Sequence, residues 1–374
     1  MKKILLITAM YTGHGHKSIS DALVEQFREF PGLEVRVIDG FELLGAYGPR
    51  MSKLYGVTTR YASGLWKLSY ELSDGDNLFF KTGITGLSSF SLGRFRRLME
   101  EEQPDLIVSV HSLFNGSILR LLRQLGLETP LAVVQADIVN IHKSWCEPGA
   151  CRTICPTQEA YECSLRHGMP PEKLVKIGFP TRRQFTDWAR SHPRPEYDGK
   201  RPLRCLMMSG GEGSGNLKRY AESLMTQTDV SLTIICGRNR RMKEALEEAF
   251  LPAYQDRMRI LGFVTEMQKE MADKDLLIAR GSPNSLMEGV VMNLPLIVTG
   301  ALPGQEQDNP QLIANHNLGV VCEGPEKIPQ QIDILLQDHC RQYREIAAAQ
   351  REYRDLDNAK KIAEYLVGLM ETNT

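Results

Sequence analysis

Leu203–Asn216 reads LRCLMMSGGEGSGN. Its first half is a short apolar run of the kind buried on both faces of a parallel sheet. Its second half is a loop of glycine and small polar residues that opens a helix. Strand, glycine turn and helix together make the unit of a nucleotide-binding α/β domain. Small residues let backbone N–H groups approach a phosphate at the positive end of the following helix. The unit falls in mid-chain, and a similar one stands at the beginning. There Lys3–Thr8 (KILLIT) runs into Gly13-His14-Gly15-His16 and then into a helical pattern from Ser18 to Phe27.

Further apolar runs follow each start at helix-length intervals: Leu33–Ile38, Asp105–His111 and Leu131–Gln135 after the first, and Ser231–Cys236, Met258–Leu261, Leu276–Ala279 and Leu296–Thr299 after the second. This alternation predicts an α/β protein of two Rossmann-like domains facing a central cleft. The expected division is 1–187, a linker at 188–202 with three prolines, 203–340, and a charged helix at 341–374 that leans back on the first domain. At 374 residues the chain has length enough for two cores.

The charge balance, 45 Lys+Arg against 46 Asp+Glu, argues against a nucleic-acid binder held by bulk charge. The eight cysteines include no CxxC pair and fit a reducing cytoplasm. No apolar stretch approaches the ~20 residues of a membrane-spanning helix. Contact with a membrane surface is another matter. Tyr47–Arg97 mixes Met51, Leu54, Tyr55, Trp66, Phe79 and Phe80 with Lys53, Arg60, Lys67, Lys81, Arg94, Arg96 and Arg97, a composition that suits an anionic lipid surface or, equally, a core with a solvated rim.

In open parallel sheets ligands gather beyond the carboxyl ends of the strands. The loop with Gly210, Gly211, Glu212, Gly213 and Ser214 is therefore a candidate diphosphate site. A nicotinamide cofactor is disfavoured, because the next strand ends in Cys236-Gly237-Arg238 rather than in an acidic residue. Arg280–Glu288 (RGSPNSLME) opens a second helix, with Ser282, Asn284 and Ser285 at its start and Glu288 a turn inside, where a carboxylate can accept ribose hydroxyls. Pro303–Asn309 (PGQEQDN) gathers the amides and carboxylates that hold sugar hydroxyls. Asp74-Gly75-Asp76 matches a metal-holding DxD pattern but follows no clear strand and reads as a solvated loop. His142, Cys146, Cys151, Cys155 and Cys163 fit no zinc spacing, so no metal is expected.

The ordered segments TGHGHKSISDAL, PDLIVSVHSLFN, ADIVNIHKSW, CPTQEA, MSGGEGSG, CGRNRRM, LGFVTEMQKEM, SPNSLMEG and PGQEQDN resemble the monogalactosyldiacylglycerol synthase and diacylglycerol glucosyltransferase family. More distantly, they resemble the bacterial enzyme that adds N-acetylglucosamine to a peptidoglycan lipid. The resemblance implies a GT-B fold and inverting transfer of a hexose from a UDP-sugar, a co-substrate rather than a cofactor, to a lipid acceptor at the inner face of the cell membrane. It implies His16 as the group that activates the acceptor hydroxyl, with Asp137 as a rival base or its orienter. Phe263 and Val264 fall at the uracil site, Arg238 among the donor-binding residues, Glu288 at the ribose, and Gln305 and Glu306 at the sugar. His14, His111, His142 and Trp145 fall on the acceptor side. His14 stands where relatives have glycine, and Ser282-Pro283-Asn284-Ser285 where they read Gly-Pro-Gly-Thr. Two other classes remain open: a UDP-N-acetylglucosamine 2-epimerase on the same frame, and a non-catalytic nucleotide-sugar-binding module.

Overall fold

The structure, a computed structural model, describes residues 1–10, 14–48, 91–208 and 216–372. These residues form two compact units. One comprises Met1–Arg182, Pro303–Glu306 and Asp357–Thr374; the other comprises Arg183–Leu302 and Gln307–Leu356.

The first unit is built on a six-stranded parallel sheet: β1 (Lys2–Thr8), β2 (Leu33–Asp39), β3 (Leu106–Ser109), β4 (Leu131–Val134), β5 (Arg152–Cys155) and β6 (Leu174–Lys176). Ile4, Leu5, Leu6 and Ile7 are all inaccessible to solvent, as expected of a strand covered on both faces. The order is β2-β1-β3-β4-β5-β6, so the winding reverses between β1 and β3, which pair from Ile4↔Leu106 to Ile7↔Ser109. Crevices for ligands open at such reversals. Helix Asn358–Thr372 packs on helix His14–Phe27, and both carry fully buried apolar residues, Ile362, Ala363 and Leu366 on the one and Ile19, Ala22 and Leu23 on the other. Arg152 Nε donates to the Tyr365 hydroxyl at 3.0 Å, fastening the same helix to β5.

The second unit repeats the plan with β7 (Arg204–Met208), β8 (Ser231–Ile235), β9 (Met258–Leu261), β10 (Leu276–Ala279), β11 (Leu296–Val298) and β12 (Gly319–Val321). Its order, β12-β11-β10-β7-β8-β9, puts the reversal between β7 and β10. Cys205, Met207, Ile234, Leu276 and Ile278 pack with Leu224 and Leu246 of the covering helices in one core. At the amino ends of β7 and β10 the Asp275 carboxylate takes a bidentate pair of bonds from Arg201 (2.5 and 2.7 Å) and the Arg204 backbone N–H (2.9 Å). That cluster lies at the end of the sheet remote from the ligand side.

Two stretches differ from their sequence reading. Residues 188–202 do not run as a polar tether: Arg183–Ser191 is a helix, and Arg194 donates to the carbonyls of Met271, Lys274 and Met292. The prolines keep this chain extended, and a guanidinium has donors enough to satisfy several carbonyls at helix ends. The final charged segment is not one helix: Ile328–Tyr353 is broken at Gln337–Cys340, where the backbone leaves the helical region, and Asn358–Thr372 is a separate helix that belongs to the first unit.

Candidate active site

Because β1 and β3 are neighbours at the reversal, the segments leaving their carboxyl ends meet. From β1 comes His16, in the first turn of helix His14–Phe27; from β3 comes His111, which caps helix Ser112–Leu125. The two imidazole rings lie 4.2 Å apart with a 41° tilt. His16 Nδ1 sits 2.8 Å from the Val110 carbonyl. A carbonyl only accepts, so by this partner Nδ1 carries the hydrogen and Nε2 keeps its lone pair. His111 has the opposite tautomer, since its Nδ1 accepts from the Leu113 N–H at 3.2 Å. Burial lowers the His16 pKa to about 4 against the pull of the Val110 bond. Burial and the neighbouring His16 hold His111 well below its ordinary value. Both rings are therefore neutral at physiological pH.

Asp137 stands just beyond β4, the next strand in the sheet, and is almost fully buried. The Trp145 indole N–H donates to its Oδ2 at 2.6 Å, and the Trp145 ring centroid lies 6.2 Å from that of His16. Burial raises the Asp137 pKa to about 7, a rise opposed by the Trp145 bond and reinforced by the charge of Glu306. A carboxyl group so placed gains and loses a proton in the working range of pH. Trp145 ends a short 3-10 turn, Lys143–Trp145, held at both ends. The His142 Nδ1 accepts from Ser144 N–H (3.1 Å), and the buried Asn115 amide donates to the Ser144 carbonyl (3.2 Å). His16, His111, Asp137, Trp145 and His142 thus form one neighbourhood of the first unit. Asn115 was not singled out from sequence; it lies in the SLFN segment, where an amide has no pattern to mark it. His14 begins the helix, but its side chain lies outside the described residues.

The second unit has its own candidate surface. Gly210, Gly211, Glu212, Gly213 and Ser214 fall outside the described residues, between β7 and helix Leu217–Gln227. Beside β7, the turn after β10 is in place. Ser282 is the extended residue that precedes helix Pro283–Val291, Pro283 takes the first helical position, and Asn284 and Ser285 follow in the first turn. Its leading N–H groups are those a helix leaves without internal acceptors. Glu288 is 6% exposed, so it is buried within the unit rather than turned to solvent. The Asn309 amide, fully buried, donates to the Gly281 carbonyl at 2.7 Å and pins this turn. Arg238 lies over the Phe263 ring at 4.7 Å, and Phe263 is 51% exposed, an unusual position for a phenylalanine. Val264 is half-buried beside it.

Gln305 and Glu306 are half-buried on the Pro303–Glu306 segment, grouped with the first unit. Asp74 and Asp76 lie outside the described residues, as does most of Tyr47–Arg97; Arg94, Arg96 and Arg97 are exposed on a helix over 91–102. All eight cysteines are free thiols, and among the described residues no group of three His, Cys, Asp or Glu side chains is placed to hold a metal. No helix among the described residues is long and apolar enough to cross a membrane.

Residues 16–181 match the family described as monogalactosyldiacylglycerol (MGDG) synthase, and residues 209–364 match the glycosyltransferase family 28 C-terminal domain. The first half of the chain is thus similar to MGDG synthases and the second half to family 28 glycosyltransferases. A probable MGDG synthase, chloroplastic, of Nicotiana tabacum is 27% identical over 344 residues, covering 87% of this chain. The chain spans 63% of that relative's length. Among solved structures, Acinetobacter baumannii MurG superposes with a TM-score of 0.65 at 18% identity, covering 98% of this chain and all of MurG. UDP-GlcNAc 2-epimerase from Neisseria meningitidis, bound to UDP-GlcNAc, gives 0.61 at 10% identity, covering 98% of this chain and 100% of the epimerase. At such identities the likeness concerns the fold, which is the twin α/β GT-B class read from the sequence.

Proposed function

We propose that this protein transfers a hexose from a UDP-sugar to a hydroxyl of a lipid acceptor of the diacylglycerol type. The observation that carries the reading is the His16 tautomer: its Nδ1–H is committed to the Val110 carbonyl, which leaves Nε2 as a lone pair at the sheet reversal. The family matches of the two halves support the same reading. The acceptor oxygen bonds to the anomeric carbon, the bond from that carbon to UDP breaks with its electron pair leaving on UDP, and the hydroxyl proton passes to His16 or Asp137. The configuration inverts in this single displacement. His16 suits the task by its lone pair, and Asp137 by a pKa near the operating pH.

Charge on the departing diphosphate is met by helix starts rather than by a metal ion. Ser282, Asn284 and Ser285 supply one such start, and Gly210, Gly211, Glu212, Gly213 and Ser214 the other, by their sequence. Glu288 takes the ribose, Arg238, Phe263 and Val264 the uracil, and Gln305 and Glu306 the hexose. His14, His111, His142 and Trp145 line the acceptor side. The protein works at the inner face of the cell membrane, bound peripherally through the basic and aromatic Tyr47–Arg97 stretch.

The test is purified protein with a panel of UDP-sugars and diacylglycerol-containing vesicles, with product identified by mass. Absence of any glycolipid across the panel defeats the proposal. The fold likeness to an epimerase keeps one second reading, and release of an epimer from UDP-GlcNAc in lipid-free reactions would favour it.

A further inference from the structure

We infer that Asn140 is a positioning residue for the donor sugar, holding the turn that carries Gln305 and Glu306. Its side-chain amide donates to the Gly304 carbonyl at 3.1 Å, across 164 positions of sequence. Gly304 has φ of +92°, a left-handed backbone that only glycine takes readily. Gly304 is buried, so its carbonyl needs a donor from the protein. Asn140 comes from the loop just after β4 that also carries Asp137, so one short loop supplies both a candidate base and the donor bond to the turn.

A second observation bears on the same arrangement. The charge of Glu306 opposes ionisation of Asp137, which places the two carboxyl groups within electrostatic reach. A carboxylate aimed at hexose hydroxyls has to keep a fixed distance from the carbon under attack, since catalysis by orientation is lost with small displacements. The four residues Pro303–Glu306 group with the first unit, whereas Leu302 and Gln307 on either side group with the second. The bond from Asn140 is one that fastens them to the first unit.

The inference deepens the proposed function and rests on it. Asn140→Leu keeps the shape of the side chain and removes the donor; Asn140→Ala removes both. In each variant KM for the UDP-hexose rises by roughly tenfold, the equivalent of one lost hydrogen bond. Affinity for UDP alone, by calorimetry, stays within twofold of the unaltered protein, because UDP lacks the hexose that the turn holds. A merely structural role would weaken both ligands together. An unchanged KM in both variants overturns the inference, and so does a loss of UDP affinity in step with KM. Failure of the unaltered protein to transfer any hexose defeats the proposed function and this inference with it, and it is read before any variant is made.

Discussion

Replacing Asp137 by asparagine should remove transfer and, above neutral pH, make the protein more stable. The pKa of this carboxyl rises from 3.8 to about 7 on folding, chiefly through burial. Between those two values the unfolded chain has released the proton and the folded chain still holds it. Stability therefore falls as pH rises through that window, and the loss is complete once the folded group ionises. From pH 5 to above 7 the window spans about two pH units, worth roughly 2–3 kcal/mol at about 1.4 kcal/mol each. Asparagine carries no charge and its side-chain oxygen still accepts the Trp145 bond, so Asp137→Asn escapes this loss. The assay is urea unfolding followed by tryptophan fluorescence at pH 5 and pH 8.5. The difference between variant and parent should grow by roughly 2–3 kcal/mol in the variant's favour on moving to the higher pH. A difference that stays constant between the two pH values, or moves against the variant, refutes the account of Asp137 as a buried, reluctantly ionised base.

Other expectations follow from the same geometry. Trp145→Phe removes the hydrogen bond that favours ionised Asp137, so the acidic limb of the kcat/KM profile should move up by about one to two pH units; a limb that stays put would show that Asp137 does not govern the rate. His16→Ala should lower transfer by about 10²–10⁴ while calorimetry shows UDP bound as before. Glu288→Gln should weaken UDP binding about tenfold and leave 2′,3′-dideoxy-UDP unaffected, since that nucleotide offers no ribose hydroxyls. Asp275→Ala strands Arg201 and Arg204 and should cost about 2–4 kcal/mol of stability in urea titration, with little change in KM at the opposite end of the sheet.

The fold was legible where strands are long and wholly buried. KILLIT and LRCLMM are apolar apart from Lys3, Thr8 and Arg204 near their ends because helices cover both faces of their sheets, and the glycine loops mark where each strand ends. Arg152–Cys155, Leu174–Lys176 and Gly319–Val321 were not legible as strands. They span only three or four residues toward sheet edges, and β5 and β6 include Arg152 and Lys176, so no apolar run announces them. Strand ends were read one or two residues too long at His111, Gln135 and Cys236, because burial continues past the last paired residue. Of the site, the identities of His16, His111, Asp137 and Trp145 could be read from ordered motifs, and their meeting from the adjacency of β1, β3 and β4. The tautomer of His16 could not, since it depends on a backbone carbonyl 94 positions away, nor could the elevated pKa of Asp137, which burial creates.

The allotment of Asp357–Thr374 to the first unit bears on how the protein is made. On the ribosome, the helix His14–Phe27 emerges early, yet the helix that packs on it, Asn358–Thr372, is translated only after the whole of the second unit. Until then that greasy flank stays open to water, and the nascent first unit waits for this helix, exposed to proteases, while a complete second unit is made.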